Sequence, residues 1–224
     1  MSTLMQSAPA GETDGHFVVH GIAWAQYETL LQAFPETPGL RITYVDGRIT
    51  FVSPSLRHDR ASRRLSDLIK AVAAGFGVRY EESGSATYRI ENAGAGVEGD
   101  DAFYFGPHAD TMRTLVEVDL SAQPPPDLVL EVEATHPADD AVAAWGRIGV
   151  PEIWRHNVRK GTTQFLVRGE GGDYVAAPRS LAFPVLGPAD VTEQLRLADD
   201  LGALDWNEQL RTWARETLTQ RQTQ

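Results

Sequence analysis

One seven-residue stretch restricts the possible folds of this chain more than any other: Asp127-Leu128-Val129-Leu130-Glu131-Val132-Glu133, introduced by prolines 124 to 126 and followed by Thr135, His136 and Pro137. Strand side chains alternate between faces, so Leu128, Leu130 and Val132 share one side while Asp127, Glu131 and Glu133 share the other. A strand otherwise made of leucine and valine belongs in the middle of a sheet. Carboxylates there are costly unless they meet a cation or a proton, and a divalent ion suits several at once. A second acidic group, Glu98, Asp100 and Asp101, stands at the entry to another predicted strand. If the two strands pair, Asp100 and Glu131 can chelate one hard cation through oxygen, as magnesium or manganese prefers. The same residues also allow Glu131 or Glu133 to pair with an arginine, or the strand to be an edge with its acids in water.

The rest of the chain predicts a mixed α/β (α+β) fold with a central mixed sheet flanked by helices, an N-terminal hairpin and C-terminal helices. Residues 1–16 lack periodicity and read as a disordered leader without function, leaving 17–224 as one domain. Tyr27, Leu30, Leu31 and Phe34 recur at helical spacing until Pro35 stops them. Two strands, Leu40 to Val45 and Arg48 to Val52, flank Asp46-Gly47, the strongest short hairpin signal. Ser53-Pro54 then reads as the cap and first turn of a helix on which Leu65, Leu68, Ile69, Val72 and Phe76 trace one face, with an end at Gly75 or Gly77. Its other side carries Arg57, Arg60, Arg63, Arg64 and Lys70, either a local phosphate contact or a solvated face.

Strands are expected at Val78 to Glu81, Ala86 to Ile90 and Ala102 to Phe105, with a loop at Asn92 to Gly96 between the last two. Pro137 opens a helix through Val142, Trp145 and Ile148. Antiparallel strands follow at Pro151 to His156, Thr162 to Arg168 and Asp173 to Ala177, then helices at Ala189 to Arg196 and Leu204 to Leu218. Trp145, Trp154, Trp206 and Trp213 fall at apolar positions suited to packing.

Composition narrows the chemistry. The chain has no cysteine, so any metal is held by oxygen or imidazole, without disulfides or thiolate clusters. The start lacks a signal-peptide pattern and no stretch is long and apolar enough to span a bilayer, so a cytoplasmic location is expected. A formal charge of -11, from 31 acidic and 20 basic residues, argues against a broad phosphate-gripping surface and leaves only local ones.

Several ordered stretches then carry a resemblance: Pro38-Gly39-Leu40-Arg41 running into Gly47, Ser53-Pro54-Ser55 with His58, Gly84-Ser85 with Thr87, Glu98 to Phe105, Pro125-Pro126-Asp127 with Glu131, and Gly149-Val150-Pro151-Glu152 with Trp154. From about Trp24 to the C-terminal helix the chain resembles the Uma-type restriction endonuclease family of the PD-(D/E)XK nuclease superfamily. The resemblance implies a restriction endonuclease-like core and a metal-dependent DNA endonuclease using Mg2+ or Mn2+. Asp100 and Glu131 would be metal ligands, and His58, beside Asp59, would approach the site. A homodimer is expected by analogy with enzymes that cut two strands.

Some positions depart from the family. Glu133 stands where the superfamily has its catalytic lysine and would be a further acidic or second-metal ligand. Ala141 replaces a basic residue, and Gly99 replaces the proline before the first aspartate. Lys70 and Lys160, the only lysines, match neither position. Arg89 and Arg147 are candidate replacements for the missing charge, although arginine stays protonated; Arg57, Arg60 and Arg89 are candidate phosphate contacts. These departures leave open an alternative, a catalytically degenerate nuclease fold serving as a binding module. His58 is read from the residues as either a cap or packing residue or a catalytic one.

Overall fold

The computed structural model describes residues 13–34 and 39–222. Residues 1–12 of the expected leader, Pro35 as helix stop and Pro38 of the quoted motif lie outside them. In chain order the elements are β1 (Gly15–His20), α1 (Trp24–Ala33), β2 (Arg41–Val45), β3 (Arg48–Ser53), α2 (Leu56–Gly75), β4 (Tyr80–Glu82), β5 (Thr87–Ile90), β6 (Ala95–Glu98), β7 (Asp101–Phe105), α3 (Pro107–Met112), β8 (Leu128–Glu133), α4 (Asp139–Ile148), β9 (Glu152–Asn157), β10 (Thr162–Arg168), β11 (Tyr174–Ala177), α5 (Pro188–Asp200) and α6 (Ala203–Trp213). A π turn at Ala214–Leu218 continues α6.

The mixed α/β architecture is built on two sheets. One runs β11-β10-β9-β8-β7-β4 and is mixed, because β8 and β9 are parallel while its other pairs are antiparallel; the second, β1-β3-β2-β6-β5, is antiparallel throughout. The alternation read from 128–133 places Leu128, Leu130 and Val132 in a core with Leu65, Leu68, Ile69 and Val72 of α2 and with residues of α5 and α6. Val129 points the other way, into a core that joins Ala144, Trp145 and Ile148 of α4 to Tyr88, Ala95 and Val97 of the second sheet. The helix α4 is thus packed between the sheets, on the same side of β8 as Glu131. Trp145, Trp154 and Trp206 are buried packing residues, as their spacing suggests.

Three local readings change. The cap of α2 is Ser55, whose hydroxyl accepts from the His58 N–H, while Ser53 ends β3; Ser55 is the last hydroxyl before helical geometry begins. The segment Asn92 to Gly96 is only partly a loop, because Ala95–Glu98 is β6, paired with both β2 and β5. Small residues hid this strand from propensity reasoning, yet they are required: a Cβ on Gly96 would lie 2.2 Å from the Tyr27 hydroxyl. Finally, the last two residues of the expected leader, Gly15 and His16, open β1, an edge strand on β3. The hairpin holds as read, with Asp46 and Gly47 both at positive φ, 45° and 83°. Its turn is pinned to α4 by Arg147, which donates to the Asp46 carboxylate and, at 3.0 Å, to the Ala93 carbonyl.

No helix among the described residues is long and apolar enough to cross a membrane. Another buried ionisable group in this frame is His156 on β9, in contact with the Thr163 hydroxyl at 2.9 Å. Burial lowers its pKa to about 4, only partly opposed by Asp199. A histidine whose folded pKa lies below its unfolded value contributes no penalty above the unfolded value and withdraws stability as pH falls toward the folded one. Between about pH 6.5 and 4 the protein is therefore expected to lose on the order of 2 kcal/mol from this residue, and His156→Gln should flatten that limb in thermal melts across the interval.

Candidate active site

β7 and β8 pair antiparallel with Asp101 opposite Leu130. This register brings Asp100, one residue before β7, beside Glu131. Together they line a cavity of about 60 Å³ whose wall also includes Asp14, His16, Arg41, Thr43, His58, Glu98, His136, Asp140 and Ala141. The expected convergence of Asp100 and Glu131 on one space is what the structure shows.

Each carboxylate is held in a definite pose. Asp100 Oδ2 accepts from the Val132 N–H at 2.8 Å, and Oδ1 contacts His58 Nε2 at 2.8 Å. Glu131 Oε1 accepts from the Trp145 indole N–H at 2.6 Å. Burial and then the Asp100 charge push the Glu131 pKa up to about 8, against the Trp145 hydrogen bond and the His58 and Arg41 charges. Among the described residues Glu131 has no basic hydrogen-bond partner. Burial alone would not single it out: Glu152 is fully buried and raised too, yet its oxygens are satisfied by the Trp154 indole and the Ala182 N–H. The two differ in that Glu131 faces a cavity shared with a second acid.

His58, on the buried face of α2, lies between two carboxylates. Its Nδ1 is 3.3 Å from Asp14 Oδ2 and its Nε2 2.8 Å from Asp100 Oδ1. Burial disfavours the imidazolium, but the Asp100 charge and the hydrogen bonds to Asp100 and Asp14 outweigh it and raise the pKa to about 10. Asp14 is correspondingly held well below the usual carboxylate range: burial alone would raise it, and the bonds from His58 and the Ser55 N–H override that. Asp14 accepts from Ser55 N at 2.8 Å and lies 3.3 Å from both Thr135 N and Thr135 Oγ1. A residue assigned to a functionless leader thus ties the start of α2 to the end of β8.

The remaining candidates are placed as follows. Glu133 lies on the Glu131 face but does not line the cavity; its oxygens take hydrogen bonds from Arg155, from Asn157 at 3.1 Å and from the Ala138 N–H at 2.9 Å. Asp101 faces α2, where it accepts from Ser66. Glu98 reaches the cavity with both oxygens engaged, by Ile42 N and Thr87 Oγ1. Arg57 donates to the Val158 carbonyl, and neither it nor Arg60 or Arg89 lines the cavity. Arg89 lines a separate groove of about 750 Å³. Arg147 is taken up by Asp46. The basic residue at the site is instead Arg41, which lines both spaces and whose Nε is buried without a hydrogen-bond partner among the described residues. In the sequence Arg41 stands at the end of the Pro38-Gly39-Leu40-Arg41 stretch, where nothing local marks it for the site. Gly99 also has a physical reason: a Cβ there would come within 2.7 Å of the Trp145 ring and 3.1 Å of Glu131 Oε1, so a proline would collide with the indole that orients the acid.

The donor set suits a small hard cation in a limited way. Among the described residues no three acidic or imidazole side chains form a ready cluster, so the protein offers two carboxylates, each oxygen with a lone pair to spare. Magnesium and manganese commonly bind through one or two carboxylates and retain several waters, and Asp100 with Glu131 fits that pattern.

No curated protein matches the chain. Among solved structures, the crystal structure of a "putative nuclease belonging to DUF820" from Anabaena variabilis is similar at 14% identity and a TM-score of 0.46, over 82% of this chain and 96% of that one. The profile of the Uma2 family, described as "Putative restriction endonuclease", matches residues 24–199, a span that holds Arg41, His58, Asp100, Glu131, His136 and Ala141 while leaving out Asp14 and His16. With well over half of its length matched and both central acids inside the match, the chain belongs to the Uma2 family of restriction endonuclease-like proteins.

Proposed function

We propose that this protein is a divalent-metal-dependent DNA endonuclease that hydrolyses phosphodiester bonds, with Asp100 and Glu131 as the ligands of Mg2+ or Mn2+. The observation that carries the reading is the cavity shared by two buried carboxylates, one of them without a cationic hydrogen-bond partner among the described residues. Such an arrangement is costly until positive charge enters. The bound ion would supply Lewis-acid stabilisation of charge building on the phosphate oxygens. The protein's own part is positional. The Val132 N–H and His58 hold Asp100, the Trp145 indole aims Glu131, and Arg41 extends from the cavity into the neighbouring groove, where it meets phosphate. Arg60 and Arg63 on α2 are exposed and make no ion pair among the described residues, which provides the local positive surface that an acidic protein needs to meet DNA.

A second reading, the degenerate binding module, is favoured by one observation: His58 already gives Asp100 a cationic partner from within the fold. Supercoiled plasmid separates the two. Purified protein is expected to nick it in magnesium or manganese and to lose all cleavage when a chelator is added. A folded protein that binds either ion and leaves plasmid intact under both would support the second reading.

A further inference from the structure

The catalytic lysine of the superfamily is absent, and the side chains that replace it at the cavity wall include two imidazoles. His16 of β1 and His136, three residues beyond Glu133, stack with centroids 4.2 Å apart and planes at 11°. Both line the cavity that holds Asp100 and Glu131. Proton accounting then orients His136. Asp14 is ionised and can only accept, so the Thr135 hydroxyl donates to it, at 3.3 Å. Thr135 Oγ1 accepts the Asp14 N–H at 3.1 Å and has one lone pair left for His136 Nδ1, also at 3.1 Å. His136 Nδ1 therefore carries the proton and Nε2 keeps a free lone pair; no partner for Nε2 occurs among the described residues. A carboxylate, a hydroxyl and an imidazole in series fix a tautomer in the way that an acid orienting a catalytic histidine does.

We propose that His136 is the general base that takes the proton from the attacking water, oriented through Thr135 by Asp14, in place of the missing lysine. This rests on the nuclease reading above. As the water oxygen forms its bond to phosphorus, its proton passes to His136 Nε2 and the bond from phosphorus to the leaving ester oxygen breaks. The leaving oxygen takes a proton from solvent, and the imidazolium returns its own, so the sum is one water added across one phosphodiester. His16 supports this role by packing flat against the His136 ring; burial, then the His136 charge, lowers the His16 pKa. The other charged groups around the pair are Asp14, Arg48 of β3, Asp140 of α4 and His58 of α2, with Arg41 of β2, Glu98 of β6, Asp100 and Glu131 along the rest of the cavity wall.

The test is the pH dependence of plasmid nicking at saturating manganese for wild type, His136→Ala and His20→Ala, the last an exposed β1 histidine outside the cavity. His136→Ala is expected to lose about 10²-fold in rate, to lose the acid limb of the profile and to recover part of the rate with added imidazole, while His20→Ala follows wild type. A His136→Ala rate within about twofold of wild type, in a protein that Glu131→Gln silences, would overturn the base assignment and leave the nuclease reading standing. A rate loss with the acid limb intact and no imidazole rescue would likewise overturn it. Wild-type protein with no metal-dependent cleavage would overturn both.

Discussion

Glu131→Gln is expected to reduce metal-dependent cleavage by about 10³-fold, the equivalent of roughly 4 kcal/mol of transition-state stabilisation, while leaving the fold as stable as before or more so. The two halves of this expectation come from one geometry. Glutamine keeps an oxygen for the Trp145 indole N–H, so the hydrogen bond that fixes the side chain survives. It removes a buried acid whose ionisation is opposed by burial and by Asp100. The carboxylate charge disappears while the packing does not. Plasmid nicking and thermal melts in chelator, on the same preparations, check both halves. Retained cleavage would remove Glu131 from the metal site, and a large loss of stability would recast it as a structural acid of the Glu152 kind.

The largest expected effect on stability falls on Asp14. Asp14→Ala should cost about 3 kcal/mol, seen as a fall of roughly 6 to 12 °C in Tm, because it strands three partners on two elements at once. The Ser55 N–H at the start of α2, the His58 imidazolium and Thr135 at the end of β8 all lose an acceptor in a buried place. Removing one member of a buried charged network leaves the others uncompensated, which is worse than removing the whole. Asp14→Asn, which keeps an accepting oxygen without the charge, should fall between wild type and alanine. A Tm unchanged by both substitutions would show that the N-terminal segment lies on the site without holding it.

Features with a local physical signature were legible in the sequence. The Leu-Val-Leu run with acids at alternate places set the two faces of β8, and Asp46-Gly47 set the hairpin. The spacing from Leu65 to Val72 set the buried face of α2. The convergence of Asp100 with Glu131 followed once the two strands were supposed to pair. Features that depend on distant partners were not legible. Nothing near Asp14 distinguishes it from a solvated leader residue, since its meaning comes from Ser55, His58 and Thr135. Ala95-Gly96 has little strand propensity, and the smallness of Gly96 answers Tyr27, far away in sequence. Glu133 looked like a third ligand from its face alone; Arg155 and Asn157, which take up its oxygens, come from the neighbouring parallel strand. His136 likewise was visible only as a residue beside Pro137.

The distances along the chain between the cavity's supports have a consequence for when the site comes into being. Trp145 reaches back 14 positions to Glu131, the Val132 N–H reaches 32 to Asp100, and Thr135 reaches 121 to Asp14. The closure entropy of the longest of these loops has to be met before the contact returns anything, so it belongs to the late stages of folding. During synthesis Asp14 is made early and waits for its partner, and the indole that aims Glu131 is made later still. An unfinished chain therefore holds the two acids without their orientation, and any cleavage the protein performs begins only after α4 has been made and has docked between the sheets.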